Sequence, residues 1–234
     1  MFKEKRFELI VDFVNKNGYA TNETISKVLK IPFTTLRRDL NELHKKNFIV
    51  KVHGGAKTLK EKSILELNYL EKMGDNIEQK KIIAEKALLC IKPNESIFLD
   101  AGSTTYYLAK IIKKEFNNKI YTNSILHAQT LANNGIEDIN ILPGKLKLKT
   151  NAIVGVETIK ALRKYYFDIS FIGINAIDSE YNFYTTDEDE SEIKKLVIQN
   201  SQFAFGLADK SKLKSKSFVK CGDKSQLAVI DEEV

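Results

Sequence analysis

Between Thr21 and Ala56 the residues leave room for little besides two short helices around a tight turn, with a hairpin behind them. Thr21 can cap a helix whose first turn holds Glu23, where the positive helix end favours a carboxylate. Ile25, Val28 and Leu29 supply that helix's buried face, and Lys30-Ile31-Pro32 forms the turn. In the next helix Leu36, Leu40 and Leu43 point inward by their spacing, so Thr34, Thr35, Arg37 and Arg38 project from the other side near its amino end. Upstream, Phe7, Ile10, Val11 and Val14 form one stripe of a first helix that Asn17-Gly18 ends. Downstream, Ile49-Val50-Lys51-Val52 and Ala56-Lys57-Thr58-Leu59 read as strands, with His53-Gly54-Gly55 as a turn whose glycines suit positive φ angles.

This order is that of a helix-turn-helix with a wing, in which the amino end of the second helix enters the major groove of DNA. Hydroxyls and guanidinium groups there reach base edges and phosphates. The candidate DNA-binding residues are Thr21, Thr34, Thr35, Arg37, Arg38, His53, Gly54 and Gly55. Charge agrees: residues 1–60 hold 13 Lys and Arg against 6 Asp and Glu, whereas the remainder holds 24 basic and 25 acidic residues. A basic head on a neutral body is the footprint of a phosphate-backbone binder. A helical bundle with a surface hairpin and a basic, solubilising face is the plainer alternative.

With 234 residues there is room for one small and one mid-sized domain. No stretch approaches the ~18 apolar residues of a membrane span. The amino terminus leads into an amphipathic helix and not an apolar signal core, so a cytoplasmic location is expected. Cys90 and Cys221 fit no metal or redox spacing and are expected to be buried free thiols. No metal set or cofactor is implied.

Residues 60–76 read as a partly helical connector, either a relay or a passive spacer, between a head of residues 1–59 and a body of residues 77–234. In the body helical and strand patterns alternate. Helices are expected from Ile82 to Ile91, Thr105 to Phe116, Ile125 to Ala132, Val156 to Tyr165 and Glu188 to Gln199. Strands are expected at Ser96–Leu99, Ile120-Tyr121, Ile139–Leu142, Ile169–Ile172, Phe203–Leu207 and Leu227–Ile230. Such alternation predicts a mainly parallel sheet covered on both faces, with ligands at the carboxyl ends of the strands. After the first strand, Asp100-Ala101-Gly102-Ser103-Thr104-Thr105 runs straight into a helix and offers N–H and O–H donors to a phosphate. A simple capped turn would look the same. Asp100 would repel the phosphate and is assigned to sugar hydroxyls. Other candidates are Asn123, Lys147, Asn175, Glu190, Asp209 and Lys212. Glu190 and Lys194, four apart, also suit an ordinary helix salt bridge.

The run Leu36-Arg37-Arg38-Asp39-Leu40 with Val52-His53-Gly54-Gly55-Ala56 resembles the amino-terminal signature of the DeoR family of bacterial regulators. The likeness continues through Phe98–Thr105, Thr122-Asn123-Ser124, Val154-Gly155, Asp168–Ala176, Thr185–Lys194 and Ala208–Lys212. It implies a winged helix-turn-helix joined to a sensor related to ribose-5-phosphate isomerase and the coenzyme A transferases, with a phosphorylated sugar as effector. Fructose 1-phosphate and tagatose phosphates are the candidates it offers. Three departures stand out. Pro32-Phe33 replaces the family's Ser cap and acidic residue, Leu142-Pro143-Gly144 replaces a paired glycine, and the chain stops at Val234, where many members add a helix and strand.

The expected function is therefore a repressor of a sugar-utilisation operon, binding double-stranded operator DNA as a homo-oligomer, a dimer or tetramer. The alternative is a sugar-phosphate isomerase with an appended DNA-binding head, for which Asp100, Asp178, Glu188 or Glu190 would be the base.

Overall fold

The computed structural model describes residues 3–17, 19–46, 48–52, 54–58 and 69–233. Contacts divide it into two units, Met1–Ser63 and Ile64–Val234.

The head runs α1 (Lys3–Asn17), β1 (Tyr19–Thr21), α2 (Asn22–Leu29), α3 (Phe33–Lys45), β2 (Val50–Val52) and β3 (Gly55–Lys57). Ile10, Val14, Ile25, Ile31, Leu36, Leu40 and Leu43 form its core, each at most 1% exposed. Val28, expected in the core, lies on the solvent side instead. The reason is that α2 ends one residue later at left-handed Lys30, and Ile31 turns inward to fill that place. Ser26 holds the turn: its carbonyl accepts the Ile31 N–H at 3.1 Å and its hydroxyl donates to the Ile31 carbonyl at 2.6 Å. Buried Asp39 pairs with Arg6 through two bonds of 2.7 and 3.1 Å, fastening α3 to α1.

β1 was not expected from the sequence. It pairs with β3 in an antiparallel sheet ordered β1-β3-β2. It also revises the wing glycines. Gly54 has φ +80°, as a hairpin turn requires, but Gly55 is needed for closeness, since a Cβ there would meet the Ala20 carbonyl at 2.4 Å.

The second unit begins with α4 (Tyr69–Gly74) and α5 (Ile77–Leu89). It continues with β4 (Ser96–Leu99), α6 (Ser103–Ala109), β5 (Lys119–Thr122), α7 (Ile125–Asn133) and β6 (Ile139–Ile141). Then come β7 (Lys145–Lys147), β8 (Ala152–Val154), α8 (Val156–Leu162), β9 (Phe167–Gly173), β10 (Ala176–Ile177) and β11 (Asn182–Thr185). It closes with α9 (Glu188–Gln199), β12 (Ser201–Leu207), β13 (Val219–Asp223) and β14 (Ala228–Ile230).

Six strands form one parallel sheet ordered β14-β12-β9-β4-β5-β6. Alternation along β4 divides the core. Ile97 and Leu99 join Ile83, Ala87, Leu108 and Leu131 on one face, while Phe98 joins Leu162, Phe167, Ile193 and Val197 on the other. The sheet is thus covered on both sides, as the alternating pattern predicts.

Two helices are shorter than expected. α6 starts at Ser103 and stops at Ala109, before Phe116, because Asn134 donates to the carbonyls of Ala109 and Lys110 at 3.1 and 2.9 Å. α8 stops at Leu162, where Asn200 donates to the Leu162 carbonyl at 3.1 Å. The β7–β8 hairpin and the antiparallel sheet β10-β11-β13 are additions that the sequence pattern did not announce.

Candidate functional site

On the head, α3 presents Thr34, Arg37 and Arg38 to solvent, with Thr35 half-buried, while its leucines face the core. The amphipathic pattern sets this orientation and leaves the cationic side exposed. Pro32 precedes α3 with no side-chain cap, and the Arg37 guanidinium lies 5.9 Å from the centre of the exposed Phe33 ring. Thr21 caps α2, accepting the Thr24 N–H at 3.1 Å. Gly54 is exposed and Gly55 buried at the wing, where Lys51 donates to Asn41 at 2.6 Å and braces β2 on α3. His53 lies outside the described residues.

In the second unit, β4 is followed by β5 on one side of the sheet, whereas β9 lies on the other. Loops leaving β4 and β9 therefore diverge, and a crevice opens between their carboxyl ends. A cleft of about 90 Å³ lies there. Asp100, Gly102, Ser103, Thr104, Asn175, Glu190 and Lys212, all singled out in the sequence, line it.

The other four predicted residues are not among its lining. Thr105 is fully buried, and its hydroxyl donates to the Asp100 carbonyl at 2.6 Å and accepts the Gly102 N–H at 3.0 Å. Asn123 accepts the Ala101 N–H at 2.9 Å, so both residues shape the β4–α6 loop from behind. Lys147 pairs with Asp187, the residue that caps α9. Asp209 caps a short turn by accepting the Ser211 N–H at 3.0 Å.

Asp100 is 3% exposed and bound by Lys194, also buried, and by the Gly173 N–H at 3.0 Å. Lys194 donates as well to the Gly173 carbonyl at 3.0 Å. Burial works against the Lys194 ammonium, but Asp100 and Glu190 outweigh it and hold the pKa above the usual lysine value. The sequence had offered Lys194 only as a helix partner of Glu190; its bond to Asp100 spans 94 positions. Lys72, Asp75, Lys80 and Thr150 also line the cleft and carried no sequence signal. Behind the loop, His127 is wholly buried with its Nε2 3.2 Å from the Thr105 hydroxyl, and burial lowers its pKa to about 4.

Of the other carboxylates considered as bases, Asp178 lies in the β10–β11 turn. It accepts from Asn182, Tyr184 and the Glu180 N–H, and these bonds, those of Asn182 foremost, hold it well below the usual range. Glu188 is exposed at the start of α9. Among the described residues, no cluster of His, Cys, Asp and Glu is placed to hold a metal ion, and no helix is long and apolar enough to cross a membrane. Cys221 is buried, which raises its thiol to about 11, while Cys90 is only half-buried.

A winged helix-turn-helix with an outward basic helix, joined to a parallel α/β unit with a switch-point cleft, defines a DNA-binding transcription regulator with a sensor domain. Residues 6–62 match the DeoR-like helix-turn-helix domain and residues 75–232 the DeoR C-terminal sensor domain. The chain belongs to the DeoR family. It is 34% identical to the uncharacterized HTH-type transcriptional regulator FruR of Bacillus subtilis, over 93% of this chain and 86% of that one. It is 28% identical to the glycerol-3-phosphate regulon repressor of Escherichia coli, over 98% of this chain and 90% of that one. Ribose 5-phosphate isomerase A from Methanocaldococcus jannaschii matches 59% of this chain and 55% of its own, at 18% identity and a TM-score of 0.42.

Proposed function

We propose that the protein represses a sugar-utilisation operon, gripping operator DNA through residues 1–59 of paired chains and changing its grip when a phosphorylated sugar enters the sensor cleft. The observation that carries the DNA half is α3, with leucines inside and Thr34, Arg37 and Arg38 outside. The observation that supports the effector half is the cleft, where four lysines meet Asp100, Glu190 and the start of α6. Anionic and hydroxyl groups of one small ligand find complementary partners in it. The E. coli relative is named for the glycerol-3-phosphate regulon, the regulon of another phosphorylated polyol.

The protein is proposed to sense and not to turn over its ligand. A general base must be free to take a proton, and Asp100, the carboxylate at the end of β4, is committed to Lys194 and the Gly173 N–H. A thermal-shift panel of fructose 1-phosphate, tagatose phosphates, glycerol 3-phosphate and their unphosphorylated parents tests the reading. Ligand at a hundred times its Kd adds about 2.7 kcal/mol, and only phosphorylated members are expected to do so. Stabilisation by unphosphorylated sugars alone, or steady isomerisation of any sugar phosphate, would overturn it.

A further inference from the structure

The carboxyl end of the connector helix forms part of the cleft's wall. Lys72 and Asp75, at and just beyond the last turn of α4, line the cleft beside Lys80 of α5. Lys80 is 3% exposed, and its ammonium donates to the carbonyls of Lys72 and, at 2.6 Å, Asp75. Asn76, left-handed between the two helices, donates to Asp209 at 3.2 Å. One lysine and one asparagine thus tie the end of α4 to the rest of the second unit.

The charges around the cleft fall into two groups. Lys194 is governed by Asp100 and Glu190, which match its charge. Lys80 is governed by Lys212, Asp209, Asp75 and Lys72, two of them cations. Burial foremost, then Lys212, brings the Lys80 pKa down to about 8, against the pull of Asp209 and Asp75. Asp209 is itself buried, with Oδ2 lacking a hydrogen-bond partner. An anion between the like charges of Lys80 and Lys212 relieves their repulsion, while Asp209 and Asp75 repel it and so bound where it can sit.

We infer, building on the phosphorylated-ligand reading, that the ligand's anionic group sits against Lys80 and Lys212, and that Lys80 passes its presence to the carboxyl end of α4. An anion drawing on the ammonium alters its hold on the Lys72 and Asp75 carbonyls. The sugar hydroxyls then face Asp100 and Glu190, the acidic side of the cleft. In sequence α4 is the first described element after the head, so a ligand bound this way acts on the part of the second unit that follows the head most directly along the chain.

Hydrogen exchange on the full chain, with and without fructose 1-phosphate and glycerol 3-phosphate, tests this. Amides of residues 72–83 and of 100–105 are expected to slow together, on the order of tenfold. Lys80→Gln, at saturating ligand, is expected to keep the slowing at 100–105 and lose it at 72–83, with Lys80→Arg restoring it. Slowing at 100–105 alone in the unsubstituted chain would overturn the coupling and leave the ligand reading standing. Slowing at neither segment would remove both. Should Lys80→Gln fail to fold, the unsubstituted chain decides.

Discussion

In the head, Thr34, Arg37 and Arg38 stand outside a core that would pack the same way without them. In the sensor, Asp100 and Lys194 are buried in the wall of the proposed effector cleft, each the other's charge partner. The proposed binding chemistry is therefore separable from stability in the first unit and fused with it in the second. A solvated arginine fork costs the fold little to remove, whereas a buried ion pair broken on one side leaves a charge with nowhere to go.

The sharpest way to break this comparison is Lys194→Ala. It strands the Asp100 carboxylate and is expected to destabilise the second unit by about 3–5 kcal/mol, read as a lowered urea midpoint. A loss below about 1 kcal/mol would mean that Asp100 rests on other partners.

Next comes acid. His127 is neutral in the fold because burial lowers its pKa to about 4 from 6.5. The unfolded chain binds that proton first, so stability is full above about 6.5 and falls as pH drops toward 4, by about 3 kcal/mol. His127→Gln should flatten that window in pH-dependent melts. An unchanged slope would show another group to be responsible.

Arg37→Ala and Arg38→Ala mark the opposite pole. Each is expected to weaken DNA binding by about 1–3 kcal/mol at fixed salt, with the melting curve unmoved. A parallel loss of stability would show the head to be as fused as the sensor. The smallest effect belongs to Thr21→Ala, which removes the α2 cap bond of 3.1 Å and should cost about 1 kcal/mol of head stability.

The same contrast explains what could be read in advance. The leucine spacing of α3 and the cap at Thr21 are local signals, and so both faces of that helix were legible in one stretch of residues. The parallel sheet was legible too, because buried strands such as Ile97-Phe98-Leu99 are apolar throughout. Strand β7 is three residues reading Lys-Leu-Lys, too short and too polar to stand out from a loop. The Asp100–Lys194 pair joins positions 94 apart, a distance at which periodicity carries no information. Lys80 carries no signal in the sequence, and only the arrival of the α4 carbonyls at its ammonium sets it apart.

The most direct measurement is DNA affinity of the full chain, by fluorescence anisotropy on a duplex it selects from a random pool, at fixed salt, with and without sugar phosphates. A sugar phosphate that stabilises the protein is expected to shift that affinity by about fivefold or more, the lower bound of ordinary allosteric coupling, while its unphosphorylated parent does not. Tight binding of a sugar phosphate with DNA affinity unchanged would contradict a sensor wired to a DNA grip.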